Sequence, residues 1–158
     1  MFCMKTYITI LFMYGCAVMT AQEFNNHLVY TKVGLAVNRD FTDATYNLGY
    51  DYYFSDLGIG AMYQYLNYEQ DNQEKSLNSV FLLSTIRSSE YGNIRAYIGP
   101  GLAFMNTEID DKTLLAGTLG SSFLLTVTKF LYLSFDTAFI INEKNGYGEV
   151  GTSLVVHF

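Results

Sequence analysis

The chain has 158 residues and a formal net charge of −6 at pH 7, from nine basic and fifteen acidic side chains. This balance argues against a nucleic-acid partner, because nucleic-acid-binding domains carry a basic patch. Both cysteines, Cys3 and Cys16, lie near the amino terminus, so the rest of the chain has neither disulfides nor thiolate metal ligands. Cys16 follows Gly15 as in a lipoprotein acylation site, but the bulky Tyr14 disfavours that alternative.

The first 21 residues have the order of a secretory signal peptide. Lys5 is followed by an apolar run at residues 7–13 and by small residues that end at Ala21. The run is too short for a spanning helix, which needs about 20 residues. We therefore predict a cleaved signal peptide at residues 1–21 and a single domain at residues 22–158. Loss of Lys5 leaves eight basic against fifteen acidic side chains, a net charge of −7.

The remaining chain contains eight segments in which apolar and polar side chains alternate with the period of two of a β-strand. The second is the clearest, because every second residue from Ala44 to Phe54 is alanine, leucine or aromatic. Lengths of about 10 or 11 residues match a tilted strand that crosses a membrane. The predicted strands cover residues 27–37, 44–54, 57–66, 77–87, 94–105, 114–124, 130–141 and 147–158.

The connections between these strands differ in length and charge. Short turns are predicted after the second and sixth strands, and longer polar loops after the odd-numbered ones, notably at residues 67–75 and 107–112. Outer-membrane barrels keep short turns in the periplasm and long loops outside, so both termini are expected to be periplasmic.

Pro100 lies within the fifth strand, where the loss of a ladder hydrogen bond indicates an edge or a bulge. The facing of the fourth strand is undecided, because residues 80–83 are apolar throughout.

Charged residues within the strands share their faces with glycine, while the opposite faces are nearly free of charge. A soluble ligand-carrying barrel would need its polar face outside and its apolar face inside. Water disfavours so much contiguous apolar surface, whereas the membrane interior requires it. We therefore predict a membrane barrel with the charged face inside. The predicted interior polar cluster is Lys32, Asp51, Arg95, Asp136 and Glu149.

Aromatic residues near the strand ends are expected to form girdles at the two membrane interfaces. One rim would hold Tyr52, Phe54, Phe130 and Phe158, and the other Tyr65, Phe104 and Tyr147. The last strand alternates to the end of the chain, with Leu154, Val156 and Phe158 on its apolar face. This terminal aromatic resembles the signal that the barrel assembly machinery reads in outer-membrane proteins.

With the signal peptide and the alternation, this strand makes the chain resemble the small outer-membrane barrels that include OmpX, the OmpA barrel and OmpW-like proteins. The resemblance implies an all-β fold, an eight-stranded antiparallel up-and-down transmembrane β-barrel. It also implies an outer-membrane location among lipid and lipopolysaccharide. The resemblance transfers no catalytic residues.

Two arrangements that include histidine are considered, one as a catalytic group and one as a metal site. Some barrels of this kind are lipid A enzymes, and Glu149, Ser153 and His157 share one face of the last strand. Residues four apart on a strand are roughly 13 Å apart at about 3.3 Å per residue, which is beyond hydrogen-bond reach. His27 and His157 fall on neighbouring strands but on opposite faces, so no metal site and no cofactor are predicted. The acidic segments at residues 69–75 and 108–112 lack the spacing of a dedicated calcium loop.

We therefore predict a non-enzymatic outer-membrane barrel with an envelope-structural role or an interaction role through its outer loops, where a protein partner would bind. One alternative is a narrow porin-like channel for small or hydrophobic solutes, and another is a lipid A-modifying enzyme. The interior charges would gate a channel or form a structural plug. An eight-stranded barrel is only wide enough for its own side chains, which favours the plug.

Overall fold

The computed structural model describes residues 26–70, 73–88, 94–107, 111–144 and 146–158. The predicted signal peptide at residues 1–21 lies outside the described residues. Eight strands make up nearly all of the described chain. They are β1 His27–Val37, β2 Thr42–Tyr53, β3 Leu57–Gln70, β4 Gln73–Ser88, β5 Ile94–Thr107, β6 Asp111–Thr126, β7 Leu131–Asn142 and β8 Gly146–His157.

Each strand pairs antiparallel with the next, and β1 pairs with β8 to close the sheet into a barrel. Leu28 opposite His157 and Val37 opposite Gly148 mark the two ends of the closing seam. The described residues contain no helix that is long and apolar enough to cross a membrane. The predicted fold class, an eight-stranded antiparallel up-and-down barrel, is confirmed.

The faces of the barrel are arranged as the charge pattern predicts. Leu82 and Ile59 on the outside are 68% and 61% exposed, whereas Asp51 and Gln64 on the inside are fully buried. The structure also decides the facing of β4, because Leu82 points out and Phe81 is buried inside. An outside this apolar is what hydrocarbon requires, and the arrangement is the reverse of a soluble ligand carrier.

The predicted polar loop at residues 67–75 is wrong, because most of it is strand. Glu69 pairs with Glu74 and Gln70 with Gln73, so β3 and β4 continue to the tip of their hairpin. The alternation of apolar side chains ends here only on the outer face. The inner face keeps the buried residue Tyr68, which is the signal that the strand goes on. The loop predicted at residues 107–112 is likewise shortened, since β5 ends at Thr107 and β6 begins at Asp111.

These long hairpins make β3–β6 project beyond the rest of the barrel, and we call this part the protruding sheet. The last pair between β6 and β7 joins Ala116 to Asn142. Residues 111–115 of β6 therefore pair with β5, and within the described chain residues 113–115 have no partner strand on their other side. On the opposite flank the pairing of β3 with β2 stops at Leu66, although β3 runs on to Gln70.

Pro100 marks neither an edge nor a bulge, so that expectation is wrong. The closed barrel has β5 paired on both sides, and Pro100 itself faces Gly117 of β6. Toward β4 the register is the same above and below the proline, so no extra residue is inserted; only the pairs at Leu82 and Leu83 are missing. The missing proline N–H accounts for this short gap in an otherwise regular ladder.

The aromatic rims are found in part. Phe54 and Phe130 are exposed on the outer face near the end that holds the termini, and Phe104 is exposed toward the other end. Tyr147 does not belong to a girdle: it is buried on the interior face and donates a 2.7 Å hydrogen bond to Gln64 Oε1. Its odd position places it on the same face as Glu149, two residues further along β8.

Candidate functional site

All five members of the predicted interior cluster lie inside the barrel, each on the inward face of its strand. Each is 5% exposed or less. They do not form one cluster. The structure distributes them over three hydrogen-bonded groups, around Glu149, Arg95 and Asp136, which are described in turn. A buried charge is costly unless it is paired or hydrogen-bonded, so the partners in each group decide what the charges do.

Glu149 of β8 is the centre of the first group. Its Oε1 accepts hydrogen bonds from the Thr45 hydroxyl at 2.5 Å and the Asn47 amide at 2.8 Å, and its Oε2 accepts one from the Gln64 amide at 2.9 Å. Lys32 Nζ lies 3.2 Å from Oε2, an ion pair without the geometry of a hydrogen bond. One carboxylate thus joins the last strand to β1, β2 and β3.

Arg95 of β5 is the centre of the second group. Its Nε donates to Asp51 Oδ2 at 2.6 Å and its Nη2 donates to the Tyr30 hydroxyl at 3.0 Å. The guanidinium also stacks over the rings of Tyr30 and Tyr97, with 4.5 Å to each ring centroid. Arginine suits this position because its planar group is always charged and both stacks and donates in a fixed fork.

Asp136 of β7 is held by hydroxyl groups. Ser122 donates to its Oδ1, and Ser134 and Ser153 donate to its Oδ2, the Ser134 bond at 2.7 Å. Among the described side chains it makes no salt bridge. Arg95 Nη1 is 3.5 Å from the Ser122 hydroxyl, which connects this group with the second one.

Large interior side chains occupy the space above glycines, and this fills the lumen. Tyr30 lies opposite Gly49, and a Cβ at that glycine would stand 2.1 Å from the tyrosine ring. The same relation holds for other cross-strand partners. They are Asp51 over Gly60, Phe81 over Gly101 and Tyr97 over Gly120. The interior is therefore a packed core, as expected for eight strands.

An apolar layer covers the polar interior at the end that carries the protruding sheet. Phe41 in the turn between β1 and β2 folds inward, with its ring 4.6 Å from that of Tyr68 and 6.1 Å from that of Tyr147. Leu66 and Ile140 are buried on the same side of the Glu149 group. These side chains lie between the Glu149 group and that end of the barrel.

The two histidines lie at the end that holds the termini and on opposite faces, as predicted. His27 stacks on Phe158 and its Nδ1 lies 2.7 Å from the Tyr50 hydroxyl, both on the outer face. His157 Nε2 lies 3.2 Å from Arg87 Nη1 on the inner side. No group of three or more metal-ligating side chains that could hold an ion occurs in the described part of the chain.

Glu149, Ser153 and His157, the candidate catalytic group of β8, have different hydrogen-bond partners. Glu149 is bonded to side chains of β2 and β3, Ser153 to Asp136, and His157 to Arg87. No hydrogen bond joins the three to one another in the described residues. The arrangement therefore does not place the His157 imidazole beside the Ser153 hydroxyl, as a serine–histidine–acid group requires.

Sequence reasoning missed the uncharged members of these groups. Gln64, Ser122, Ser134 and Ser153 donate to Glu149 Oε2 and to both oxygens of Asp136. Of these four, only Ser153 is named from the sequence, and it is named as a member of a candidate catalytic group. The signal for them is parity: each lies an even number of residues from another inward-facing residue of its own strand. Which carboxylate each one reaches depends on the pairing register and the lean of long side chains across the lumen.

Solved structures share this fold at low sequence identity. Neisserial surface protein A aligns with a TM-score of 0.66 and 14% identity, over 84% of this chain and 96% of that one. Ail of Yersinia pestis in a phospholipid nanodisc aligns with a TM-score of 0.56 and 16% identity, over 84% and 99%. The N-terminal barrel domain of OprF of Pseudomonas aeruginosa aligns with a TM-score of 0.56 and 17% identity, over 87% and 100%.

The sequence matches no protein-family model and no curated protein. Identities of 14–17% establish the shared architecture and nothing about ligands. The structure itself contributes the closed ring of eight strands, the apolar outside and the charged interior. Together these findings show that the chain has the fold of the small eight-stranded outer-membrane β-barrels.

Proposed function

We propose that the protein is a non-enzymatic barrel of the outer membrane that binds a protein partner through the protruding sheet, with both termini in the periplasm. The observations that carry this proposal are the flank of β6 at residues 113–115, which has no partner strand within the described chain, and the interior, which is filled by side chains. The first feature offers a place for a partner, and the second argues against a conduit for solutes.

The membrane location is supported by the outer face of the strands. Large apolar side chains are exposed on all eight strands or at their ends, including Leu35, Leu48, Ile59, Leu82, Ile98, Leu119, Phe135 and Val150. Monomeric soluble proteins rarely expose contiguous apolar patches of more than a few hundred square ångströms. The eight strands form a closed ring, which is the condition for crossing hydrocarbon with strands.

The orientation follows from the two ends of the barrel. The termini and the connections at residues 54–56 and 127–130 lie at one end, and the protruding sheet lies at the other. Barrels of this class keep short turns in the periplasm and extend their hairpins outward. We therefore place the protruding sheet outside the cell.

The protruding sheet offers two kinds of surface to a partner. Its outer face is polar, with Glu74, Asn106 and Asp111 exposed beyond the apolar zone. Its flank at residues 113–115 has about 10 Å of strand at about 3.3 Å per residue. Unpaired backbone groups along a strand are a template for an extended segment of another protein, which can add to the sheet as one more strand.

An experiment on the purified protein in nanodiscs tests the binding surface. The probe is a synthetic extended peptide rich in valine and threonine, and its control is the same peptide with alternate backbone nitrogens methylated. We expect the first peptide to slow amide hydrogen exchange at residues 113–115 and the methylated one to have no effect. Equal exchange with and without the unmodified peptide contradicts strand addition at this flank.

The assembly role of the carboxyl-terminal strand is part of the proposal. Phe158 pairs with His27 through two backbone hydrogen bonds of 3.0 Å, next to the apolar outward residues Leu154 and Val156. We infer that the barrel assembly machinery reads Leu154, Val156 and Phe158 before this pairing forms. Deletion of Phe158 is expected to lower the amount of heat-modifiable protein in outer-membrane fractions, while Phe130→Leu, an exposed aromatic at the same rim, leaves it unchanged.

The two alternative functions have their own measurements. Ion conductance in planar bilayers tests the channel, and the filled lumen with its apolar layer at Phe41 leads us to expect no channel events. Mass spectrometry of lipid A from cells with and without the protein tests the enzyme. We expect identical spectra, because Glu149, Ser153 and His157 are bonded to different partners and do not form a catalytic group.

A further inference from the structure

A groove of about 510 Å³ interrupts the lipid-facing surface of the barrel. Its floor includes the outward-facing Ser121, Thr137 and Val150, which are opposite one another on β6, β7 and β8. The inward-facing neighbours Ser122, Asp136 and Gly151 on the same strands complete the lining. A row of larger side chains forms its wall one step along the strands, and these are Ile94, Phe123 and Phe135. Short side chains in one row beside long ones in the next row produce the depression.

The groove lies in the middle of the apolar zone. Thr137 is the seventh of the twelve residues of β7, and its outward neighbours Phe135 and Phe139 are 57% and 51% exposed. The groove is thus continuous with the surface that faces hydrocarbon. Whatever occupies it reaches it from within the membrane and not from either aqueous side.

A pair of hydroxyl groups lies on the floor of this groove. Ser121 Oγ and Thr137 Oγ1 are 3.1 Å apart and hydrogen-bonded to each other. Two hydroxyls carry two donor hydrogens, and their mutual bond uses one, which leaves one hydrogen and several lone pairs for a further hydrogen bond. Polar groups are costly in hydrocarbon unless they are hydrogen-bonded, so a ligand oxygen at this point would be stabilised.

We propose that this groove binds a small, largely apolar molecule that is dissolved in the membrane and carries one carbonyl or hydroxyl oxygen. The volume is within the range of about 300–1,000 Å³ that is usual for small-molecule sites, and apolar walls with a few polar groups are typical of them. The oxygen would accept or share a hydrogen bond with the Ser121–Thr137 pair.

Two other occupants fit the groove less well. A phospholipid carries its oxygens at the headgroup end, so its chain would bring no oxygen to the middle of the strands. A second copy of the barrel presents a convex surface, and a convex wall of strands does not enter a depression one residue row deep. The depth of the hydroxyl pair and the narrowness of the groove both favour a small molecule.

The test uses two probes of equal length, di-n-hexyl ketone and the straight-chain alkane with the same number of carbons. The isotope-labelled protein in nanodiscs is titrated with each probe, and backbone amide shifts are followed by NMR. We expect saturable shifts centred on Ser121 and Thr137, with the ketone binding about fivefold more tightly, since one hydrogen bond contributes about 1 kcal/mol.

Variants separate recognition of the oxygen from filling of the groove. The double change Ser121→Ala and Thr137→Ala is expected to remove the preference for the ketone but retain binding of both probes. Val150→Phe should block both probes, and Ser84→Ala, which removes an outward hydroxyl elsewhere in the barrel, should change nothing. Heat-modifiable migration verifies that each variant is folded.

Three results would overturn the proposal. The first is a set of non-saturable shifts spread evenly around the barrel, which indicates simple partitioning of the probe. The second is equal affinity for ketone and alkane in the unmodified protein. The third is a shift at Ser121 and Thr137 that depends on protein concentration without any probe, which assigns the groove to a second copy of the chain.

Discussion

Replacing Glu149 by glutamine tests whether the interior groups hold the barrel together. The Glu149 carboxylate accepts hydrogen bonds from Thr45, Asn47 and Gln64 and is paired with Lys32, and it is almost completely buried. Glutamine has nearly the same shape but offers one acceptor oxygen and a donor nitrogen. That nitrogen must face side chains that are themselves donors, and Lys32 loses its counter-charge.

The magnitude follows from the loss of a buried ion pair. Removing one partner of such a pair costs about 3–5 kcal/mol, because the other charge stays buried and uncompensated. Lys32→Met removes the other partner but leaves the Glu149 carboxylate with its three donors. We expect the lysine change to cost less, about 1–2 kcal/mol, because hydrogen bonds to a charged group compensate much of its burial. The order of the two losses is the sharper prediction.

Urea titration in phospholipid vesicles, with the folded fraction read from the heat-modifiable band on gels, measures both changes. Glu74→Gln is the matched control, since this glutamate is exposed on the protruding sheet and its loss should lie within about 0.5 kcal/mol of zero. An unfolding free energy of Glu149→Gln equal to that of the unmodified protein, or a larger loss for Lys32→Met, would refute the reasoning.

Three further predictions concern the packed lumen. Arg95→Lys should lower the unfolding free energy by about 2 kcal/mol, because lysine keeps the charge near Asp51 but loses the stacking on two aromatic rings. The same urea titration measures this loss. An unchanged urea midpoint would contradict a stabilising role of the stacking. Gly99→Ala should prevent or strongly reduce folding, since its Cβ would stand 1.8 Å from the carbonyl oxygen of Leu82. Gly117→Ala should fold normally because the nearest atom is 3.7 Å away, and equal folding yields for the two alanine variants would contradict this contrast. The purified protein should give no conductance steps in planar bilayers, and regular steps would show that the lumen is open.

The number of strands and the direction of their side chains could be predicted from the sequence. A membrane barrel has two chemically opposite faces, so residues such as Leu48 and Asp51 report their facing directly through parity. The alternation no longer identifies a strand where the strand extends beyond the apolar zone of the barrel. Beyond Leu66 the outward side chains become polar, and a strand then has the composition of a loop.

The grouping of the interior charges could not be predicted in the same way. Parity places Lys32, Asp51, Arg95, Asp136 and Glu149 inside, but it does not say which pairs meet. Glu149 and Gln64 are 85 positions apart, and their contact depends on barrel closure and on side chains that reach across the lumen. The serines around Asp136 are equally inconspicuous, because serine is common on both faces of a strand.

The glycines opposite Tyr30, Asp51, Phe81 and Tyr97 have a consequence for how neighbouring strands align during folding. A slip of one residue between strands is excluded by the apolar outside, because it exchanges the two faces. A slip of two residues keeps every side chain on its own face, so the alternation of apolar and polar residues does not exclude it. It would set Tyr30 opposite Asn47 or Asp51 in place of Gly49, and the ring would have no vacant space to occupy. Each bulky residue and its glycine therefore select one register, and they do so at four of the eight strand pairs of the ring: β1–β2, β2–β3, β4–β5 and β5–β6.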